Sequence, residues 1–129
     1  MILQTFDGLG DTARDVCIIG AGPVGISLAV ELDRMGYSVL LLESGNGSAD
    51  RRIQELSDAE IVAPNLHDDM SIAVSRQLGG TSNLWGTFCV KYDPVDFAPR
   101  PGLVDATWPI TYEELLPHYE RACAYTRAG

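Results

Sequence analysis

The feature that most constrains the fold is the stretch 15–45, in which two apolar runs flank a glycine-rich turn and a helical segment. The first run, Val16–Ile19, is continuously apolar, as expected of a strand buried in a parallel sheet. From Pro23 to Met35, apolar residues recur at helical spacing, and Gly36 follows where a helix commonly stops. A second apolar run, Val39–Leu42, predicts a second strand. The pattern therefore predicts a βαβ unit.

The turn after the first strand has the spacing Gly20-x-Gly22-x-x-Gly25, which is typical of dinucleotide-binding sites. Gly20 allows the tight turn, Gly22 lets the backbone approach a pyrophosphate, and Gly25 lets the helix lie close to the sheet. Glu43, 23 positions after Gly20, ends the second strand, where its carboxylate can accept hydrogen bonds from ribose hydroxyls. The same negative charge disfavours a 2′-phosphate and hence an NADP-type ligand. The alternative is a purely structural glycine turn.

Composition narrows the class of protein. The 129 residues leave room for one domain at most, and we expect 1–14 to be a lead-in and 15–129 to be the domain itself, present only in part. The formal net charge of −9 argues against binding to nucleic acid or to anionic membranes. The N-terminus shows neither a Sec-type signal nor an apolar span, and the three cysteines have no metal-like spacing. These features predict a cytoplasmic protein with reduced thiols.

The middle of the chain is less informative. Residues 53–61 predict a short helix that ends before Pro64. His67 is followed by two aspartates, which raises the question of a metal site, but no further ligand lies at useful spacing. We therefore interpret this segment as a solvated turn and expect no metal.

A second glycine-rich stretch follows at 76–86, with the sequence Arg-Gln-Leu-Gly-Gly-Thr-Ser-Asn-Leu-Trp-Gly. The pair Gly79-Gly80 allows positive φ angles or a close approach of the backbone. The next three residues offer short polar side chains that suit a pyrophosphate or the polar edge of a ring system. The alternative is an ordinary turn with Trp85 in a core.

Near the C-terminal end of the sequence, Thr111 and Glu114 predict a capping box at the start of a helix. One face of this helix includes Leu115, Tyr119 and Ala122.

Three stretches resemble the glucose–methanol–choline (GMC) oxidoreductases, which are FAD-dependent enzymes. They are 15–45, 76–85, and a C-terminal part with Tyr-Asp-Pro-Val-Asp-Phe at 92–97 and Trp-Pro-Ile-Thr-Tyr-Glu-Glu-Leu-Leu-Pro-His-Tyr-Glu at 108–120. The chain is most similar to bacterial sugar or polyol dehydrogenase-like members and to pyranose oxidase-like members. The resemblance implies oxidation of a CH–OH group on a small-molecule alcohol, sugar or polyol, with hydride passing from the substrate carbon to flavin N5.

The resemblance also implies which residues bind FAD. They are Gly20, Gly22, Pro23, Gly25, Glu43, Ser44, Arg76, Gly79, Gly80, Thr81, Ser82, Asn83 and Trp85. In pyranose oxidase, the residue before the tryptophan of this loop is a histidine bonded covalently to the flavin. Leu84 occupies that position here and has no nucleophile, so we expect FAD to be held non-covalently.

The catalytic His–His or His–Asn pair of that family has no match within residues 1–129, and we expect it downstream. The sequence and the resemblance together predict an α/β fold, a Rossmann-like FAD-binding βαβ unit with long loop insertions. We expect this unit to be an incomplete fragment of a larger two-domain fold and to be inactive alone. One alternative is a fragment of an NAD-dependent Rossmann dehydrogenase, although that fold should add a further βα repeat soon after Glu43. The other is a non-catalytic dinucleotide-binding remnant. The oligomeric state stays open.

Overall fold

The computed structural model describes residues 2–86, 88–102 and 107–127. The chain divides into two compact units, Met1–Trp85 and Gly86–Gly129. In chain order, the strands and α-helices are β1 (Val16–Ile19), α1 (Pro23–Arg34), β2 (Val39–Leu42), α2 (Arg51–Gln54), α3 (Met70–Ala73) and α4 (Tyr112–Thr126). Short 3-10 helices occur at Phe6–Gly8, Glu55–Ser57, Gly80–Asn83 and Pro94–Phe97. The predicted α/β class is confirmed by this arrangement. No helix among the described residues is long and apolar enough to cross a membrane.

The sheet consists of β1 and β2 paired in parallel, with Val16 opposite Val39 and Ile19 opposite Leu42. Both strands have the bounds that their apolar runs predict. The pairing continues into the glycine turn, because the Gly20 N–H donates to the Leu42 carbonyl at 2.7 Å. The ends of the two strands are therefore held side by side, which is where a dinucleotide site is expected.

Helix α1 packs against this sheet with very little space between them. Ile18 and Ala21 are the buried apolar residues among those described, at 8% and 1% exposure. A Cβ atom added to Gly25 would lie 2.0 Å from the Gly20 carbonyl oxygen and 3.5 Å from the Ile18 side chain. The predicted role of Gly25 in close helix–strand packing is therefore confirmed by the geometry. The helix ends at Arg34, and Gly36 follows with a φ of +91°.

The helix predicted over 53–61 is wrong in its bounds. Helix α2 begins two residues earlier, at Arg51, because the Asp50 carboxylate caps it by accepting the Arg52 N–H at 2.9 Å. After the 3-10 turn Glu55–Ser57, Asp58 adopts an extended conformation with φ −61° and ψ 138° and stops the helical segment. The apolar residues beyond this point suggested a longer helix than the capped turn allows.

The second unit contains α4 and an aromatic cluster. The capping box is confirmed, because the Glu114 N–H donates to Thr111 Oγ1 at 3.2 Å and the Thr111 N–H donates to Glu114 Oε2 at 2.7 Å. On the helical face predicted to include Leu115, Tyr119 and Ala122, the first two residues lie half-buried and Ala122 is exposed. The aromatic rings cluster around Phe97, whose centroid is 5.8 Å from that of Tyr112. Edge-to-face contacts of this kind stabilise a small unit that has few aliphatic residues to bury.

Candidate functional site

The start of helix α1 is open to a ligand. Its N-cap is Gly22, which has no capping side chain, and its first residue is Pro23, which has no N–H. The next N–H groups of the first turn have no acceptor within the helix. A Cβ atom added to Gly22 would meet no described atom within 4 Å. The uncapped N–H groups, the positive end of the helix dipole and the open space beside Gly22 fit an anion such as a pyrophosphate.

The Glu43 carboxylate lies at the end of β2 and is fixed by backbone groups. Its Oε2 accepts the N–H of Ala21 at 2.7 Å, and its Oε1 accepts the N–H of Gly45 at 2.8 Å and the hydroxyl of Ser44 at 3.3 Å. A carboxylate has about four acceptor positions, and these bonds occupy three. The remaining capacity fits one hydrogen bond from a ribose hydroxyl.

The charge state of Glu43 follows from the same contacts. Partial burial raises the pKa of Glu43, but the N–H groups of Ala21 and Gly45 outweigh that effect, and the net result is a pKa below the ordinary glutamate value. The carboxylate is therefore ionised at neutral pH. A fixed negative charge at this point is compatible with ribose hydroxyls and repels a 2′-phosphate.

The second glycine-rich stretch lies directly against the first. The Gly79 N–H donates to the Ala21 carbonyl at 2.8 Å. Gly80 has a φ of +58°, and a Cβ atom added there would lie 3.0 Å from the Cα of Gly22. Two turns separated by more than 50 residues in sequence therefore form one continuous backbone surface beside the start of α1.

The other predicted residues of this stretch stabilise the turn. Ser82 Oγ donates to the Gly79 carbonyl at 2.6 Å, and Asn83 Nδ2 donates to the carbonyls of Leu78 and Gly80 at 3.0 and 2.8 Å. Thr81 Oγ1 accepts the N–H of Ser75 at 3.3 Å. Trp85 is 46% exposed and takes part in none of these bonds. Contact of these side chains with a cofactor stays a prediction.

Arg76, at the start of the second glycine-rich stretch, is hydrogen-bonded to the end of β2 and to the segment after α2. Its guanidinium donates to the hydroxyls of Ser44 at 3.0 Å and Ser57 at 2.8 Å, and its backbone N–H donates to Gln54 Oε1 at 3.0 Å. The sequence reasoning missed Gln54 and Ser57. No local pattern could have indicated them, since they lie about 20 residues from Arg76 in sequence.

A cavity of about 780 Å³ lies between α2, α3 and the second glycine-rich stretch. Most carboxylates on its wall already have structural partners. Asp50 caps α2, Asp69 caps α3 by accepting the Ser71 N–H, and Glu55 pairs with Arg51. Within the described ranges, no cluster of three or more histidine, cysteine or acidic residues could hold a metal ion.

Glu43→Gln is expected to destabilise the first unit at neutral pH. The glutamine NH₂ group cannot accept a backbone N–H, so one N–H group loses its partner at a cost of about 1–3 kcal/mol. Because the pKa of Glu43 is lowered in the fold, the stabilisation by its charge is present above the ordinary glutamate value and is lost as the pH falls through the folded value. Urea unfolding should therefore show a parent–variant gap that shrinks under acid conditions.

Glu55→Gln is the matched control, because Glu55 is 52% exposed and forms a surface ion pair with Arg51. Its effect should stay below about 0.5 kcal/mol at neutral pH. If Glu43→Gln lowered the free energy of unfolding by an equally small amount, this would contradict the hydrogen bonds assigned to the Glu43 carboxylate.

Comparison with known proteins identifies the family. Residues 15–128 match the family described as FAD dependent oxidoreductase. The chain is 32% identical to 6'''-hydroxyparomomycin C oxidase of Streptomyces lividus over an alignment covering 88% of this chain and 23% of that protein. It is 32% identical to paromamine 6'-oxidase of Streptomyces fradiae, covering 85% of the chain and 22% of the relative. It is 30% identical to 2-methyl-1,2-propanediol dehydrogenase of Mycolicibacterium austroafricanum, and this alignment covers 82% of the chain and 23% of the relative. The chain thus spans less than a quarter of the length of these relatives.

The resemblance to the GMC oxidoreductases is wrong as a family assignment. The family that matches 15–128 is the FAD dependent oxidoreductases. One of the three stretches that carried the resemblance, the βαβ unit with three glycines and a terminal glutamate, is shared by many dinucleotide-binding proteins and so does not distinguish one family from another. The open start of α1, the fixed Glu43 carboxylate and the paired glycine turns agree with the matched family. The chain belongs to the FAD dependent oxidoreductases.

Proposed function

We propose that the chain binds FAD at the surface formed by the two glycine turns and Glu43, and that the protein uses this FAD to oxidise a CH–OH group. The observation that carries the proposal is the convergence of three features in one unit. They are the uncapped start of α1 beside Gly22, the ionised Glu43 carboxylate, and the Gly79-Gly80 turn packed on Gly22.

Each feature has its own role in binding. The N–H groups at the start of α1 would hold the pyrophosphate, and Glu43 would accept a hydrogen bond from the adenosine ribose. The turn at Gly79-Gly80, with the three polar residues that follow, would lie along the pyrophosphate and the isoalloxazine. When bound, FAD supplies an acceptor for the hydride that leaves the substrate carbon.

The substrate class is inferred from the relatives. Their names describe two oxidases and one dehydrogenase, and the dehydrogenase acts on a propanediol. Loss of two electrons from an alcohol carbon is chemistry that a diol dehydrogenase and an oxidase can share. We therefore propose a small alcohol, sugar or polyol as the substrate of the whole protein.

We further propose that FAD is held non-covalently. The turn from Gly79 to Trp85 contains no histidine, cysteine or tyrosine, and Leu84 offers no nucleophile. The test is to load the purified chain with FAD, remove free ligand by gel filtration and precipitate the protein with acid. Flavin absorbance that co-elutes with the chain and then appears in the acid supernatant is expected. Flavin that stays in the pellet would refute non-covalent binding, and absence of co-eluting flavin would refute the FAD site.

A further inference from the structure

We propose that Arg76 positions the Glu43 carboxylate for the adenosine ribose of FAD, acting through the hydroxyl of Ser44. This inference rests on the proposed function, since it assigns a role within the same FAD site. It makes Arg76 a positioning residue that does not itself need to touch the cofactor.

The Arg76 side chain is held at two points. Nε donates to Ser57 Oγ at 2.8 Å, and one terminal nitrogen donates to Ser44 Oγ at 3.0 Å. The backbone of Arg76 is fixed as well, because its N–H donates to Gln54 Oε1. The side chain is half-buried. Its guanidinium therefore presents a donor to Ser44 in a fixed direction.

The Ser44 hydroxyl has one proton to donate. Since Ser44 Oγ accepts a hydrogen bond from Arg76, its own proton is free to point to Glu43 Oε1, 3.3 Å away. The same carboxylate oxygen accepts the Gly45 N–H. The rotation of the carboxylate thus depends on Ser44 as well as on the backbone. Without Arg76, the Ser44 hydroxyl would be free to turn away.

The guanidinium of Arg76 bonds two hydroxyls, those of Ser57 and Ser44. Its positive charge is therefore separated from Glu43 by a single hydroxyl group. A lysine could not replace it fully, because one compact ammonium does not reproduce the rigid fork of a guanidinium that bonds two separate acceptors.

The test compares the affinity of the full chain for FAD with its affinity for an FAD analogue that contains 2′-deoxyadenosine. The parent should prefer FAD by about 10-fold or more, the size of one hydrogen bond to a charged group. Arg76→Met should reduce this preference at least about threefold, and Ser44→Ala should reduce it equally. The double variant should lose no more than either single variant, because both act on one hydrogen-bond chain. The preference of Arg76→Lys for FAD over the analogue should lie between that of the parent and that of Arg76→Met.

Arg34→Met is the matched control, because Arg34 is an exposed arginine at the end of α1 that pairs with Glu31. It should keep the full preference for FAD. Equal weakening of both ligands by Arg76→Met would overturn the inference and leave the FAD site standing. If Arg76→Met does not fold, as judged by circular dichroism, an unchanged preference in Ser44→Ala overturns the inference instead. A parent chain that binds neither ligand would refute the proposed function and this inference with it.

Discussion

The Gly22→Val variant is expected to lose FAD binding while keeping its fold. In the parent, the position of the missing Cβ is open, and Gly22 has φ −78° and ψ −177°, which a valine can adopt. The fold should therefore lose only about 1 kcal/mol, since valine is a poorer N-cap than glycine. The valine methyl groups would occupy the space in which the pyrophosphate approaches the start of α1. FAD affinity should fall by at least about 100-fold, which corresponds to about 2.7 kcal/mol.

Flavin fluorescence titration of the parent and variant measures this change, with urea unfolding as the measure of stability. Gly47→Val is the matched control, because a Cβ atom at Gly47 also meets no described atom within 4 Å. It should bind FAD like the parent. Undiminished binding by Gly22→Val would show that the pyrophosphate does not approach at this turn.

The Gly25→Ala variant is expected to unfold the βαβ unit. The added Cβ would lie 2.0 Å from the Gly20 carbonyl oxygen and 3.2 Å from its carbon. These are backbone atoms that cannot rotate away, so α1 would have to move off β1. Overpacking costs about 1–3 kcal/mol and occasionally more, and we expect at least the top of that range. The gain in helix propensity of about 1 kcal/mol cannot compensate.

Urea unfolding followed by far-UV circular dichroism measures the loss of stability in Gly25→Ala. Val24→Ala is the control from the same helical turn, because Val24 is 80% exposed and loses little contact when shortened. It should remain within about 0.5 kcal/mol of the parent, as surface substitutions usually do. An unfolding midpoint for Gly25→Ala equal to that of the parent would contradict the close packing of α1 on the glycine turn.

The sequence was most informative where local pattern decides structure. The bounds of β1 and β2 follow from two apolar runs, and the start of α4 follows from the Thr111–Glu114 capping box. These elements depend on residues within a few positions of each other. The approach of α1 to the turn was also foreseeable, because the spacing of Gly25 from Gly20 has a steric meaning that does not depend on distant parts of the chain.

The contacts between distant segments were not foreseeable. The bonds of Arg76 to Ser44 and Ser57 join positions 32 and 19 residues apart. Such pairs depend on the path of the chain, and a four-residue helix such as α2 is too short to show periodicity. The partners of Glu43 illustrate the same limit. Its place at the end of β2 indicated a ribose contact, whereas its bonds to Ala21 and Gly45 required the folded turn.

The assignment to the GMC oxidoreductases was the other prediction that was wrong. Gly20, Gly22, Gly25 and Glu43 satisfy requirements that a dinucleotide imposes on a backbone and a strand end. Any dinucleotide-binding protein with this βαβ unit meets those requirements, so the residues indicate the class of ligand without distinguishing one family from another. The family was distinguished by the match of residues 15–128 to the FAD dependent oxidoreductases.

The measurement that tests the central claim most directly is equilibrium dialysis of the purified chain against FAD and, separately, against NAD. The paired glycine turns and the ionised Glu43 in a chain of the FAD dependent oxidoreductase family predict retention of FAD and little or no retention of NAD. Retention of NAD alone would contradict the assignment of this surface as an FAD site.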